Sequence, residues 1–202
     1  MYFLFKRRAS ITDFFVNNLD LLNTWLSYAR TTDSDVKRAF LVSLKEALKA
    51  PKSDEEREKL NEILRRLFSN LTSHQKFPDM GSENASIDYL IKTTDVPFEE
   101  VEREGLKVVK KLLNWEWGMR ALFANSLAVN YLLNRGGAQK AKDILETKYR
   151  LIQKTMQSKY FFKAAGVIDS VIGSQLEIYY SQGVFGTEGA PSFVPEYASK
   201  TL

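Results

Sequence analysis

Paired carboxylates are the first residues in this chain with types and spacing suited to chemistry: Asp54 with Glu55, Glu99 with Glu100, and Glu102 with Glu104. General acid–base work needs two such groups in different electrostatic settings across a cleft. Each pair here sits near an expected helix start, where negative charge complements the helix macrodipole. Capping and dipole compensation account for all three. A nucleophilic triad has as little to draw on. The chain has no cysteine and one histidine, His74, placed in an expected loop, and no serine elbow accompanies it. The same counts exclude disulfides, cysteine-built zinc sites and a histidine metal cluster. Gly81, Gly105 and Gly118 are isolated, and Gly136-Gly137 lacks the lysine–serine context of a phosphate loop. No catalytic, metal-ligating or cofactor-binding residues are expected, and no cofactor.

Binding chemistry is better represented. Lys107, Lys110 and Lys111 share one helix face with Asn114, and Lys140, Lys148 and Arg150 add charge on the next helix pair. Such a patch suits an acidic protein or phosphate, beside its plain role as a solvated face that matches helix dipoles. Tyr179 and Tyr180 end the last expected helix, a position for a surface anchor. The candidate protein-binding residues are therefore Lys107, Lys110, Lys111, Lys140, Arg150, Tyr179 and Tyr180. Trp115 and Trp117 alternate across a joint, so one is expected to pack inward and the other to lie outward or over a neighbour. Trp117, beside Gly118, is favoured for the core.

The elements that must position these residues are all helical. Residues 98–113 carry Val101, Leu106, Val108, Val109, Leu112 and Leu113, spaced mostly by three and four. A joint of Asn114-Trp115-Glu116-Trp117-Gly118 leads to a second helical stretch interrupted near Asn125-Ser126. Upstream, residues 13–29 form a first helix. Residues 36–48 form a second behind a Thr32/Asp35 capping box, and Ser53 with Glu56 opens a third that runs to residue 71. Ser82 opens a shorter fourth, and Asp95 caps the next start with Pro97 in its first turn. Residues 140–157 and 167–180 complete the set. Helix-pair starts fall near residues 13, 53, 95 and 137, separated by 40, 42 and 42. Helix-pair repeats of the HEAT or armadillo type recur at roughly 40–47 residues. No strand alternation competes. The expected fold is all-α, a HEAT/armadillo-like α-solenoid of about four helix pairs. A lead-in over 1–12, a repeat domain over 13–183 and a flexible tail over 184–202 divide the chain.

Composition agrees. The chain has 202 residues, a net charge of +4, 44% apolar and 27% charged residues. That suffices for one core with a solvated surface. The apolar residues of MYFLFKRR precede its basic ones, the reverse of a signal peptide. No apolar run reaches the ~18 residues of a membrane span. The length also fits a portion of a longer protein.

Residues 97–135 resemble the C-terminal repeats of the 26S proteasome non-ATPase regulatory subunit 5 family. The resemblance is carried by Pro97-Phe98, Gly105-Leu106-Lys107-Val108, Trp117, Phe123-Ala124-Asn125-Ser126 and the run from Tyr131 to Arg135. Further on, Ala141-Lys142-Asp143, Lys148-Tyr149 and the stretch from Leu176 to Gly183 are similar to the family's end. The resemblance implies an α-solenoid without enzymatic activity. It implies a chaperone of the proteasome regulatory particle base, binding the C-terminal domain of a base ATPase subunit by shape and exclusion. The implied compartment is the cytoplasm, with the nucleus also open. Two other readings stand beside it: an α-solenoid adaptor of another complex, and an RNA-binding helical-repeat protein. Acids interleaved among the bases disfavour nucleic acid, whose binding would fall steeply with salt. No membrane partner is expected, and oligomeric state is not legible.

Overall fold

The computed structural model describes residues 18–72, 82–136, 140–158 and 168–186. Among them, all regular structure is helical: α1 (Leu19–Ser27), a 3-10 turn (Tyr28–Arg30), α2 (Ser34–Ala47), α3 (Asp54–Ser69), α4 (Glu83–Thr94), α5 (Glu99–Leu112), α6 (Glu116–Ala124), α7 (Ser126–Leu133), α8 (Lys142–Met156) and α9 (Ser170–Ser181). His74 and the greater part of the expected tail lie outside the described residues.

Local chemistry sets most helix starts. Ser53 Oγ accepts from Glu56 N–H at 3.1 Å, and the Glu56 carboxylate accepts from Lys52 N–H, closing a box over the first turn of α3. Ser82 caps α4 through Ala85 N–H. Asn125 adopts an extended conformation, ends α6 and caps α7 through Ala128 N–H, which is the expected interruption. Two expected caps are corrected. Asp33, rather than Thr32, caps α2, with one carboxylate oxygen accepting from both Asp35 and Val36 N–H at 2.9 Å. Asp33 holds the N-cap position directly before Ser34, and Thr32 lies one residue outside it. Asp95 belongs to the end of α4; α5 begins behind Phe98 without a side-chain cap, and Pro97 precedes it.

The helices stack in two rows, as a solenoid requires. Helices α2, α5 and α8 form one row. They run parallel. Arg38 pairs with Glu100 near the starts of α2 and α5, and Trp115 Nε1 reaches Leu48 O beyond their ends. Arg103 pairs with Asp143 at the start of α8, and Lys154 reaches Lys110 O toward its end. Helices α4, α7 and α9 form the second row. Asn125 Nδ2 donates to Asn84 and Asp88 at the start of α4, both at 2.7 Å. Equivalent helices open 43 residues apart from Glu99 to Lys142 and from Glu83 to Ser126, and 44 apart from Ser126 to Ser170. The step from Ser34 to Glu99 is 65, because α3 and the stretch leading into α4 lie within it.

The core lies between the rows. Leu44, Leu48, Leu64, Phe68, Ile87, Leu106, Val109, Trp115, Phe123 and Ile152 are essentially without exposure. Full burial of each such side chain is worth about 1.5–3 kcal/mol. Both joint tryptophans are buried, Trp117 in the core as expected, and neither lies outward. The chain turns between α5 and α6 inside the stack, so the joint has no outer side there. Trp117 packs against Phe68 with ring centroids 5.7 Å apart. Gly118 permits the turn, since a Cβ there would lie 2.5 Å from Leu112 O.

Gly105 sets how closely α5 crosses the end of α4. A Cβ at that position would fall 2.1 Å from Thr94 Oγ1 and 2.7 Å from Thr94 Cβ. Thr94 is fully buried and its hydroxyl donates to Leu90 O, so it has no room to yield. Gly105→Ala is expected to gain helix propensity and still lose about 1–3 kcal/mol through overpacking. A drop in the urea midpoint without change in slope is the expected result.

Candidate functional site

Helix α5 is flanked by α2 and α8, and its charged residues divide accordingly. At 100° per residue, positions 100, 104, 107 and 111 share one side and 99, 103 and 110 another. Glu100 and Glu104 meet Arg38 and Lys45 of α2. Arg103 bridges Glu99 and Asp143 of α8. Glu99 and Glu100 are exposed and match the dipole as expected, whereas Glu102 and Glu104 are buried ion-pairing groups. Their role is corrected from dipole compensation to contacts that tie helices together. The difference was hidden because a buried carboxylate and a solvated one look alike in sequence.

Around Glu102 the structure gathers a buried polar centre. Its carboxylate accepts from Tyr131 Oη at 2.8 Å and from Lys140 Nζ at 2.7 Å. Lys148, expected as surface charge, is 2% exposed. Its ammonium donates to Tyr131 O at 2.7 Å and Asn134 O at 3.1 Å, and sits 3.8 Å from the centre of the Tyr131 ring. These are the carbonyls at the end of α7, which lack intrahelical partners. Burial and the nearby Lys140 charge bring Lys148 down to about 8, against the pull of Glu102 and Asp95. Burial and the adjacent Glu102 carboxylate push the Tyr131 hydroxyl far up.

The other candidate residues separate into two groups. Lys107 and Lys110 are exposed on α5, Lys111 is half-buried, and Arg150 is exposed on α8 beside Glu146. Lys107 and Lys45 grip Glu104 from two helices, at 2.7 and 3.0 Å. Burial alone would raise the Glu104 carboxyl, but its hydrogen bonds to Lys107 and Lys45 and their charges hold it below its ordinary value. Lys140, by contrast, turns inward to Glu102, and Tyr179 is 3% exposed. Arg135 lies 3.8 Å from the Tyr179 ring centre and donates to Tyr179 O, Gly183 O, Val184 O and Gln182 Oε1, closing the end of α9. Tyr180 stacks on Tyr149 at 5.3 Å. The structure therefore brings Lys107, Lys110 and Lys111 together and sets Lys140, Tyr179 and Tyr180 into the packing. Sequence reasoning missed Lys45, Lys49 and Lys154, which join the α5 lysines from neighbouring helices. Lys45 and Lys154, each in the last turn of an expected helix, carried a local signal, and Lys49 did not.

Among the described residues, no three His, Asp or Glu side chains converge as a metal ion would need. No described helix is long and apolar enough to cross a membrane.

Lys148→Met keeps the aliphatic stem and leaves the carbonyls of Tyr131 and Asn134 without this donor, the first of them buried, at an expected cost of about 1–3 kcal/mol in urea unfolding. The folded chain releases this proton near pH 8, while the unfolded chain holds it to about 10.4. Wild type is thus expected to gain stability relative to Lys148→Met between pH 8 and 10. Tyr179 Oη is buried without a hydrogen-bond partner among the described residues. Tyr179→Phe should therefore leave the unfolding midpoint unchanged or raise it. A loss beyond ~1 kcal/mol would show that the hydroxyl matters.

No curated protein and no solved structure matches this chain. A family model described as proteasome non-ATPase 26S subunit matches residues 16–197. A non-ATPase family assigns the chain a non-catalytic role, and its stacked helices are an architecture suited to protein–protein contact. With nearly the whole chain covered by that match, the protein belongs to the proteasome non-ATPase 26S subunit family.

Proposed function

We propose that this protein is a non-enzymatic chaperone in assembly of the 26S proteasome regulatory particle base, working in the cytoplasm. It holds an ATPase subunit, through that subunit's C-terminal domain, on its helical-repeat surface. The observation that carries this reading is the family match over residues 16–197. The two-row stack supports it. Parallel equivalent helices present their side chains in register along one face, a surface that recognises a folded domain by shape. The exposed lysines of α5 and Arg150 of α8 are the contact residues we assign to that surface. Lys140 and Tyr179 support it from within through Glu102 and Arg135. Bound there, an ATPase subunit is shielded from premature neighbours by steric exclusion.

The test is a pulldown with this chain as bait against separately expressed base ATPases. Selective retention of one ATPase, lost when its C-terminal domain is deleted, is the expected result. Retention of none sinks the chaperone reading and leaves an adaptor for another complex. Retention of nucleic acid, abolished by moderate salt, would favour the RNA-binding alternative.

A further inference from the structure

Lysines from three helices crowd one rim of the α2–α5–α8 row: Lys45 and Lys49 at the end of α2, Lys107, Lys110 and Lys111 at the end of α5, and Lys154 at the end of α8. Two carboxylates lie among them. Glu46 pairs with Lys49, and Glu104 with Lys45 and Lys107. Lys110, Lys111 and Lys154 make no ion pair among the described residues.

Two ordinary explanations fall short. Cations at helix C-termini normally answer unsatisfied carbonyls. Here Leu48 O is held by Trp115 Nε1, Lys110 O by Lys154 and Asn114 O by Arg57, so Lys110 and Lys111 are not needed for that purpose. Mixed-sign solvation is the second explanation. It describes the rest of the row, where Arg38, Arg103 and Arg150 each face a carboxylate. At this rim the like charges press on one another. Burial, then the Lys110 and Lys111 charges, bring Lys154 down to about 8, and burial, then Lys49, lowers Lys111 against the pull of Glu46. Six crowded lysines against two carboxylates disfavour the free protein, and a bound anion relieves them.

We propose that the rim formed by Lys49, Lys110, Lys111 and Lys154 docks an acidic segment of a partner protein, with its Asp and Glu carboxylates seated against Lys110, Lys111 and Lys154. The docking site rests on the chaperone reading only in taking a protein as occupant. The spread of the cations favours a peptide over a single small anion. Packed helices lie about 8–10 Å apart, so three helix ends span roughly 16–20 Å. An extended segment of about six residues covers that distance, with alternate side chains on one face.

The experiment is fluorescence anisotropy with the intact chain and two labelled ten-residue peptides, one of alternating Asp and Glu with Gly, the other with Asn and Gln in their place. Wild type is expected to bind the acidic peptide and not the neutral one. K110E/K111E should weaken binding at least tenfold. K52E/K92E, with the same charge change on exposed lysines elsewhere, should weaken it less than twofold. If circular dichroism shows K110E/K111E unfolded, K110Q/K111Q serves, with about threefold weakening expected. Absence of binding by wild type, equal loss in both double variants, or equal binding of the neutral peptide overturns the inference. So does a single-stranded RNA oligomer that displaces the acidic peptide at lower concentration. The pulldown reads separately: an ATPase retained equally by wild type and K110E/K111E leaves the chaperone reading intact and removes this site from it.

Discussion

A helix leaves its last carbonyls without intrahelical partners, and burying those ends inside a stack would cost several unmade hydrogen bonds. In this protein donors from neighbouring helices or joints answer several of these ends, while α3 and α4 close theirs with their own Asn70 and Thr94 side chains. The Trp115 indole reaches Leu48 O beyond α2. Arg57 and Lys154 reach Asn114 O and Lys110 O at the end of α5. Lys148 closes α7, Arg135 closes α9, and the Tyr89 hydroxyl reaches Ala29 O in the 3-10 turn. Most of these bonds run between successive layers, so capping a helix and docking the next one are a single event. Stability in such an array is then carried largely by the interfaces between neighbours.

Cations consequently fall into two populations. Lys148, Lys140 and Arg135 are internal fasteners. Lys148 is costly to desolvate, and its two carbonyls, the Tyr131 ring and the Glu102 carboxylate beyond offset that cost. Lys110 and Lys111 serve no such purpose, while Lys154 is engaged by oxygen acceptors and still lacks a counter-charge. A protein that binds others by a rigid face can leave charge of this kind at its rim, where it steers association and contributes little to folding. The buried Glu102 centre ties α5, α7 and the start of α8 together directly beneath the exposed face of α5. Preorganisation of that face therefore depends on groups a partner never touches.

Much of the architecture was legible in the chain. The three- and four-residue apolar spacing announced α2, α3, α5 and α8. The Ser53 and Ser82 caps marked two starts, Asn125-Ser126 marked the break between α6 and α7, and a recurrence near 40 residues implied stacking. The family resemblance over the second half agreed with the match across residues 16–197. Of the candidate site, the lysine cluster on α5 was visible because its members lie within one helix and its geometry is local.

What the sequence determined by itself was whatever depends on neighbours along the chain: helix periods, most caps, the absence of cysteine chemistry and the clustering of Lys107, Lys110 and Lys111 toward the end of one helix. Only the tertiary structure decided which charges meet water. Lys148 and Lys110 are the same residue type on similar amphipathic helices, yet one is sealed under Tyr131 and the other stands on the rim. Lys45, Lys49 and Lys154 join the α5 lysines because α2, α5 and α8 run parallel in one row. The physical reason is that burial of a long cation depends on where unpaired carbonyls and carboxylates from other helices converge. That convergence is set by packing across 14 and 17 residues of chain for Lys148 and 40 and 44 for Lys154, separations over which side-chain periodicity carries no information.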